Sequence, residues 1–174
     1  VSGNQRLWTW SGWVKLGTLT TAYPYIFSAT TASNNTSSII GFTNADEFRY
    51  YEYRDSGGGP DIYAQTSAKY RDVGAWYHFM VVADTAQVTN TNRIKMYVNG
   101  EQITDFDTYN TFEAPGGGTL DTHINRTGYV HTVGEDQAGD YPFDGYVAEM
   151  YLIDGQALTP SSFGETDSDT NQWK

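Results

Sequence analysis

The chain has 174 residues, a formal net charge of -11, 16% aromatic residues and no cysteine. That length supplies one domain with a core of its own. The missing thiols exclude disulfides, thiolate metal sites and cysteine nucleophiles. The acidic balance argues against nucleic acid and anionic membranes as partners, because phosphate binding relies on basic patches. No apolar run approaches the ~20 residues needed to span a bilayer, so membrane insertion is not expected. The opening "VSGNQRLW" does not read as a signal peptide.

In chain order, "LWTWSGWVK" (7 to 15) is the first strand. Alternation puts Trp8, Trp10, Gly12 and Val14 on the expected core face and Trp13 on the polar face. "YPYIFSAT" (23 to 30) and "TSSIIGFT" (36 to 43) flank the polar turn "TASNN" and read as a hairpin. "DEFRYYEYR" (46 to 54) sets Phe48, Tyr50 and Glu52 against Arg49, Tyr51 and Tyr53. Both sets are partly aromatic, which leaves the buried face open. "SGGGP" breaks the chain, and "DIYAQTS" resumes a strand. "WYHFMVVAD" (76 to 84) is nearly all apolar and fits a central strand. In "RIKMYVNGEQITDF" (93 to 106), Asn99-Gly100 supplies the two positive-φ positions of a type I′ turn, with Ile94, Met96 and Val98 facing inward. Residues 107 to 127 read as irregular. "GYVHTVG" and "GYVAEMYLI" are the last strands, and "TPSSFGE" holds one helical turn at most. No segment sustains a 3.6-residue period. The expected fold is therefore all-β, a two-sheet antiparallel sandwich.

Four of these blocks resemble laminin G-like and pentraxin-type domains. They are "LWTWSGWVKL", "GAWYHFMVVAD", "RIKMYVNGEQI" and "FDGYVAEMYLIDGQALTPSSF", in the family's order from residue 7 to 163. The resemblance implies a concanavalin A-like jelly roll. "GNQRLWTWSGWVK" and "IDGQALTPSSFGETD" are further similar to lectin-like domains of phage virion proteins, especially those of marine phages. That likeness implies a single domain over 1–174, as a segment of a longer structural protein. It also implies a virion or extracellular location, a glycan on the host cell surface as ligand, and contacts with other virion subunits, including homo-oligomers.

Catalysis is not expected. Glycoside hydrolysis needs two carboxylates flanking the scissile bond. Glu149 and Asp154 are five apart, and Glu47 and Glu52 likewise, which places each pair on opposite strand faces. Asp105 and Asp107 have the right spacing but no third partner. His78, His123 and His131 lack zinc-site spacing, and no Gly-x-Ser-x-Gly elbow occurs.

Two binding sites remain in view. "GEDQAGDYPFDG" (134 to 145) gathers Glu135, Asp136, Asp140, Asp144 and Gln137 in one loop, and calcium takes 6–8 oxygen ligands. Similarity to the pentraxin calcium loop implies Asn34, Asn35, Glu135, Asp136 and Gln137 as Ca2+ ligands. The competing reading is an acidic surface turn. A sugar platform needs aromatic faces beside hydrogen-bonding groups. Trp13, Tyr51, Tyr53 and Tyr63 supply the rings, with Asn34, Asn35 and Asp136 at a rim. Their alternative role is packing, or contact with another subunit. The sequence thus reads as a non-catalytic lectin-like module. A purely structural virion module is the second reading and a divergent glycosidase the third.

Overall fold

A computed structural model describes residues 3–19, 22–31, 36–54, 62–111 and 120–174. Two antiparallel sheets face one another. The first runs β11-β1-β6-β7-β8 and the second β10-β2-β3-β4-β5-β9. The strands are β1 (Leu7–Leu16), β2 (Tyr25–Thr30), β3 (Thr36–Phe42), β4 (Glu47–Arg54), β5 (Ile62–Lys69) and β6 (Tyr77–Asp84). They continue with β7 (Ile94–Val98), β8 (Glu101–Gln102), β9 (Phe106–Thr111), β10 (Val130–Val133) and β11 (Gly145–Asp154). The expected all-β sandwich is the observed one.

The core is made by the alternation of these strands. Trp8, Trp10, Val14 and Leu16 of β1, with Phe79, Val81 and Ala83 of β6, meet Phe27, Ile40, Phe42, Phe48 and Tyr50 of the second sheet. Phe48 stacks on Phe79 at 4.2 Å between ring centroids, joining the two sheets. Burying a large apolar side chain contributes about 1.5–3 kcal/mol, so this aromatic layer dominates the packing. β6 is buried on both faces. Its inward residues enter the core, while His78, on the other face, is covered by Phe163 and Trp173 from the C-terminal segment. That explains its nearly unbroken apolar run.

Three local readings change. Residues 106–111 form an edge strand paired with β5, although 107 to 127 read as irregular. The hairpin after Asn99-Gly100 is shorter than expected: β8 has two residues, and the chain then crosses to the other sheet. The turn itself is as read, with φ of 49° and 82°. Finally, the register between β1 and β11 shifts between Ser11 and Trp13, and Glu149 there has φ 48°. This bulge breaks simple alternation in β11. Ala148 pairs with Trp13 and Tyr151 with Ser11, so Tyr146 and Ala148 join Tyr151 and Ile153 on one face.

Candidate functional site

The outer face of the second sheet carries the tyrosines. On β4, Phe48, Tyr50 and Glu52 point into the sandwich and are fully buried. Arg49, Tyr51 and Tyr53 therefore face outward. β5 adds Tyr63, opposite Tyr51 in the ladder, and Gln65, opposite Arg49. Arg49, Tyr51, Tyr53 and Tyr63 line an open hollow of about 420 Å³. The rings of Tyr51 and Tyr63 lie 6.3 Å apart. The Tyr63 hydroxyl donates to Gln65 Oε1 at 2.6 Å. Gln65 in turn donates to Glu47 and Asp107. This wall is thus held by its own hydrogen bonds.

Arg49 sits at the bottom of that wall, only 7% exposed. Its guanidinium carbon lies 4.7 Å from the ring centre of Tyr23, 4.8 Å from Tyr51 and 6.0 Å from Tyr25. Gly41 makes the cage possible. It pairs with both Tyr25 and Arg49, and a Cβ there would lie 2.3 Å from the Pro24 carbonyl oxygen. Without a side chain, the backbone of Pro24 crosses closely enough to accept the Phe42 N–H at 3.0 Å. That crossing brings Tyr23 and Tyr25 toward the arginine.

A second hollow, of about 130 Å³, adjoins the first through Tyr51 and is lined by Tyr25, Thr30, Ser37, Ile39, Asp136 and Tyr141. Tyr25 and Tyr51 share a hydroxyl–hydroxyl hydrogen bond of 2.9 Å, and Tyr141 stacks on Tyr25 at 4.6 Å. Burial, reinforced by the neighbouring Tyr51, holds the Tyr25 phenol well above its ordinary pKa. It stays a neutral hydrogen-bonding group.

The acidic loop closes this second hollow. The Glu135 carbonyl accepts from Ser28 Oγ and Thr132 Oγ1, and the Gln137 N–H donates to Thr30 Oγ1. Asp136 is 1% exposed, and its Oδ1 accepts the N–H groups of Ala138 and Asp140, each at 2.8 Å. One carboxylate oxygen of Asp136 thus shapes the loop. The Glu135 and Gln137 side chains lie in exposed residues. No group of three or more His, Asp or Glu residues converges on a metal position among the described residues. Asn34 and Asn35 lie outside the described residues. The described part of the expected calcium site does not form a cage by itself.

Of the residues grouped in the sequence, Asp136 and Tyr51 line the second hollow, and Tyr51, Tyr53 and Tyr63 line the first. Trp13 lines neither. It lies on the outer face of the first sheet, beside His78 at 5.3 Å, and lines a separate hollow of about 600 Å³ with Trp76, Asn99, Glu101 and Trp173. Four rings read as one platform are split between opposite faces of the sandwich. His78 bonds Ser11 Oγ through Nε2 at 2.8 Å, and burial pushes its pKa down to about 4. Asp105 and Asp107 are separately engaged, by Ser67 and Gln65. Glu149 and Asp154 also part. Asp154 accepts from the Asn4 N–H and Asn125 Nδ2, while Glu149 lines an outer groove with Tyr151 and Ile153. The sequence reading missed Arg49, Tyr23, Tyr25 and Tyr141. Arg49 carried a signal, since it alternates in phase with Tyr51 and Tyr53.

Two facing antiparallel sheets with an aromatic outer face define a lectin-type jelly roll, and sequence comparison agrees. The family model for the concanavalin A-like lectin/glucanases superfamily matches residues 2–162, and the chain belongs to that family. No curated protein sequence matches it. Among solved structures it is similar to the CBM40 domain of the Ruminococcus gnavus IT-sialidase bound to α2,3-sialyllactose. The TM-score is 0.62 at 17% identity, covering 91% of this chain and 80% of that one. It is similar to a heptameric SAP-like pentraxin from Limulus polyphemus, at TM-score 0.57 and 18% identity, over 92% and 69%. It is also similar to domains LG4-5 of the mouse laminin α1 chain, at 0.57 and 13%, over 91% and 38%. These likenesses establish the shared fold.

Proposed function

We propose that the chain is a non-catalytic carbohydrate-binding module, with its glycan site on the outer face of the second sheet. The observation that carries this reading is the hollow lined by Arg49, Tyr51, Tyr53 and Tyr63. Its size falls within the ~300–1,000 Å³ of ordinary ligand sites, and it offers aromatic faces beside a few placed polar groups. The similarity to a CBM40 domain bound to sialyllactose supports it. The setting is a phage virion structural protein, such as a tail fibre, capsid fibre or decoration protein, which presents the module to host-surface glycans. A glycan array probed with the intact chain tests the reading. Binding that weakens about tenfold or more in Tyr51→Ala and Tyr63→Ala is expected, the scale of a central aromatic anchor. Background signal throughout overturns it.

Calcium at Glu135, Asp136 and Gln137 belongs to the proposal only through Asn34 and Asn35, which would complete the oxygen set. Binding to the folded state alone raises the unfolding midpoint by mass action. The midpoint is therefore expected to rise in millimolar calcium relative to chelator, and no shift removes the metal.

A purely structural role has one observation of its own. The β11 edge exposes Tyr146, Val147 and Tyr151, with Trp76 beside Tyr146. An oligomer that dissociates in Tyr146→Lys, in a chain that binds no glycan, would favour that reading. A monomer would remove it.

A further inference from the structure

Among the described residues, Arg49 is a buried cation without an anion. It is 7% exposed, and its Nε is buried with no hydrogen-bond partner. No ion pair reaches it among the described residues. Three described carboxylates of this face are used elsewhere. Glu47 takes Lys69, Thr43 and Gln65, Asp107 takes Gln65, and Asp136 Oδ1 takes two backbone amides. What surrounds the guanidinium is the faces of Tyr23, Tyr25 and Tyr51. Tyrosine faces attract a cation but leave its Nε–H without an acceptor. Burying a charge is costly unless it is paired and hydrogen-bonded. In a chain with 21 acidic residues and 10 basic ones, a carboxylate at a neighbouring position would be an available partner. The cage instead opens on the hollow lined by Tyr51, Tyr53 and Tyr63.

We infer that the anion comes with the ligand, and that the site recognises an acidic sugar through a carboxylate or sulfate group seated on Arg49. This rests on the carbohydrate-binding reading and narrows it. A planar guanidinium matches both oxyanions through paired N–H···O bonds. The tyrosine rings pack against the guanidinium, which lines the open hollow beside them. The adjoining rings then take the apolar face of the sugar. The net charge of -11 repels anions at long range, a repulsion that salt screens. Recognition must therefore be local and short-ranged.

The test uses ligands that share one core: 3′-sialyllactose, lactose 3′-sulfate, lactose and inorganic sulfate. They are titrated calorimetrically into the intact chain, after an array of neutral, carboxylated and sulfated oligosaccharides. The expected result is acidic oligosaccharides bound at least about tenfold more tightly than their neutral counterparts, the scale of a charge-assisted hydrogen bond. That preference disappears in Arg49→Met and is partly kept in Arg49→Lys. The sialyl and sulfate arms separate the two oxyanions. The methyl ester of the bound carboxylated sugar, tested on the unaltered chain, repeats the comparison without a variant that could misfold. Its affinity is expected to fall to that of the neutral sugar. Neutral sugars bound equally well, with Arg49→Met unchanged, overturn the inference and leave carbohydrate binding standing. Inorganic sulfate bound without any sugar, or no binding at all, overturns both.

Discussion

Glu52 and Arg49 lie three residues apart on β4, and both are almost completely buried, yet their surroundings are opposite. Glu52 faces inward. Its carboxylate accepts the Ser38 hydroxyl, the Tyr50 hydroxyl at 3.0 Å and the His123 N–H at 2.9 Å, and it also lies against His123 Nδ1. Arg49 faces outward and, among the described residues, lies against tyrosine rings. A buried group whose partners all belong to the chain is part of the fold. A buried charge with no partner among the described residues fits the recognition surface proposed for the outer face. The Glu52 cluster shows what β4 looks like when burial serves architecture. It fastens the segment around His123 to the sheet, where Leu120, Thr122 and Ile124 plug the core and Trp8 Nε1 donates to Thr122.

The largest effect should come from breaking the satisfied side. Glu52→Ala strands the donors of Ser38, Tyr50 and His123 in the core, and losing one partner of such a buried cluster costs about 3–5 kcal/mol. Urea unfolding would read it as a fall in midpoint. A loss below about 1 kcal/mol would mean that the cluster is not the anchor described.

A smaller effect lies on the first sheet. Burial lowers the His78 pKa from 6.5 to about 4, so the fold holds the neutral ring. For a base depressed in this way, the stabilisation is complete above pH 6.5. It is lost as the pH falls from 6.5 toward 4, because the unfolded chain takes up the proton first. The slope is at most about 1.4 kcal/mol per pH unit. Unfolding midpoints measured between pH 7 and 4 should therefore fall more steeply in the parent chain than in His78→Gln. Parallel curves would show that His78 is not held neutral. The same substitution should leave glycan binding unchanged, since Trp13 and His78 sit on the face away from the tyrosines.

Much of the fold was legible because its signals are local. Asn99-Gly100 announced its own turn, and alternation in β4 kept Tyr51 and Tyr53 together. Failures came where partners are distant or the pattern is polar. Asp107, Thr108 and Asn110 give β9 a half-exposed edge with little apolar contrast, so it read as loop. The bulge at Glu149 leaves no trace in the hydrophobic pattern. Trp13 was grouped with Tyr51, Tyr53 and Tyr63 because alternation tells which face of a strand a residue occupies, not which sheet the strand joins. Arg49 stood in the sequence only as the residue alternating with Tyr51 and Tyr53. Its cage depends on Gly41 letting the Pro24 backbone cross, on Tyr25 arriving from β2 and on Tyr23 from the segment before it. None of that is written near residue 49.

The smallest effect on stability is the most informative about the contrast on β4. Arg49→Met removes cation–π contacts worth roughly 0.5–1 kcal/mol each near a surface, and more where the charge is desolvated. It also removes the cost of keeping an unpaired guanidinium out of water, and a methionine of similar reach fills the cage. The two terms oppose each other, so the unfolding free energy should change by less than about 1 kcal/mol in either direction. A residue buried on the scale of Glu52 that can be replaced at so little cost is not retained by the fold. A loss of several kcal/mol would mean the opposite: the tyrosine cage would then be a structural strut, and the hollow beside it a by-product of packing. Acidic-sugar binding lost in Arg49→Met at unchanged stability, beside stability lost in Glu52→Ala, would assign the two faces of one strand to recognition and to architecture.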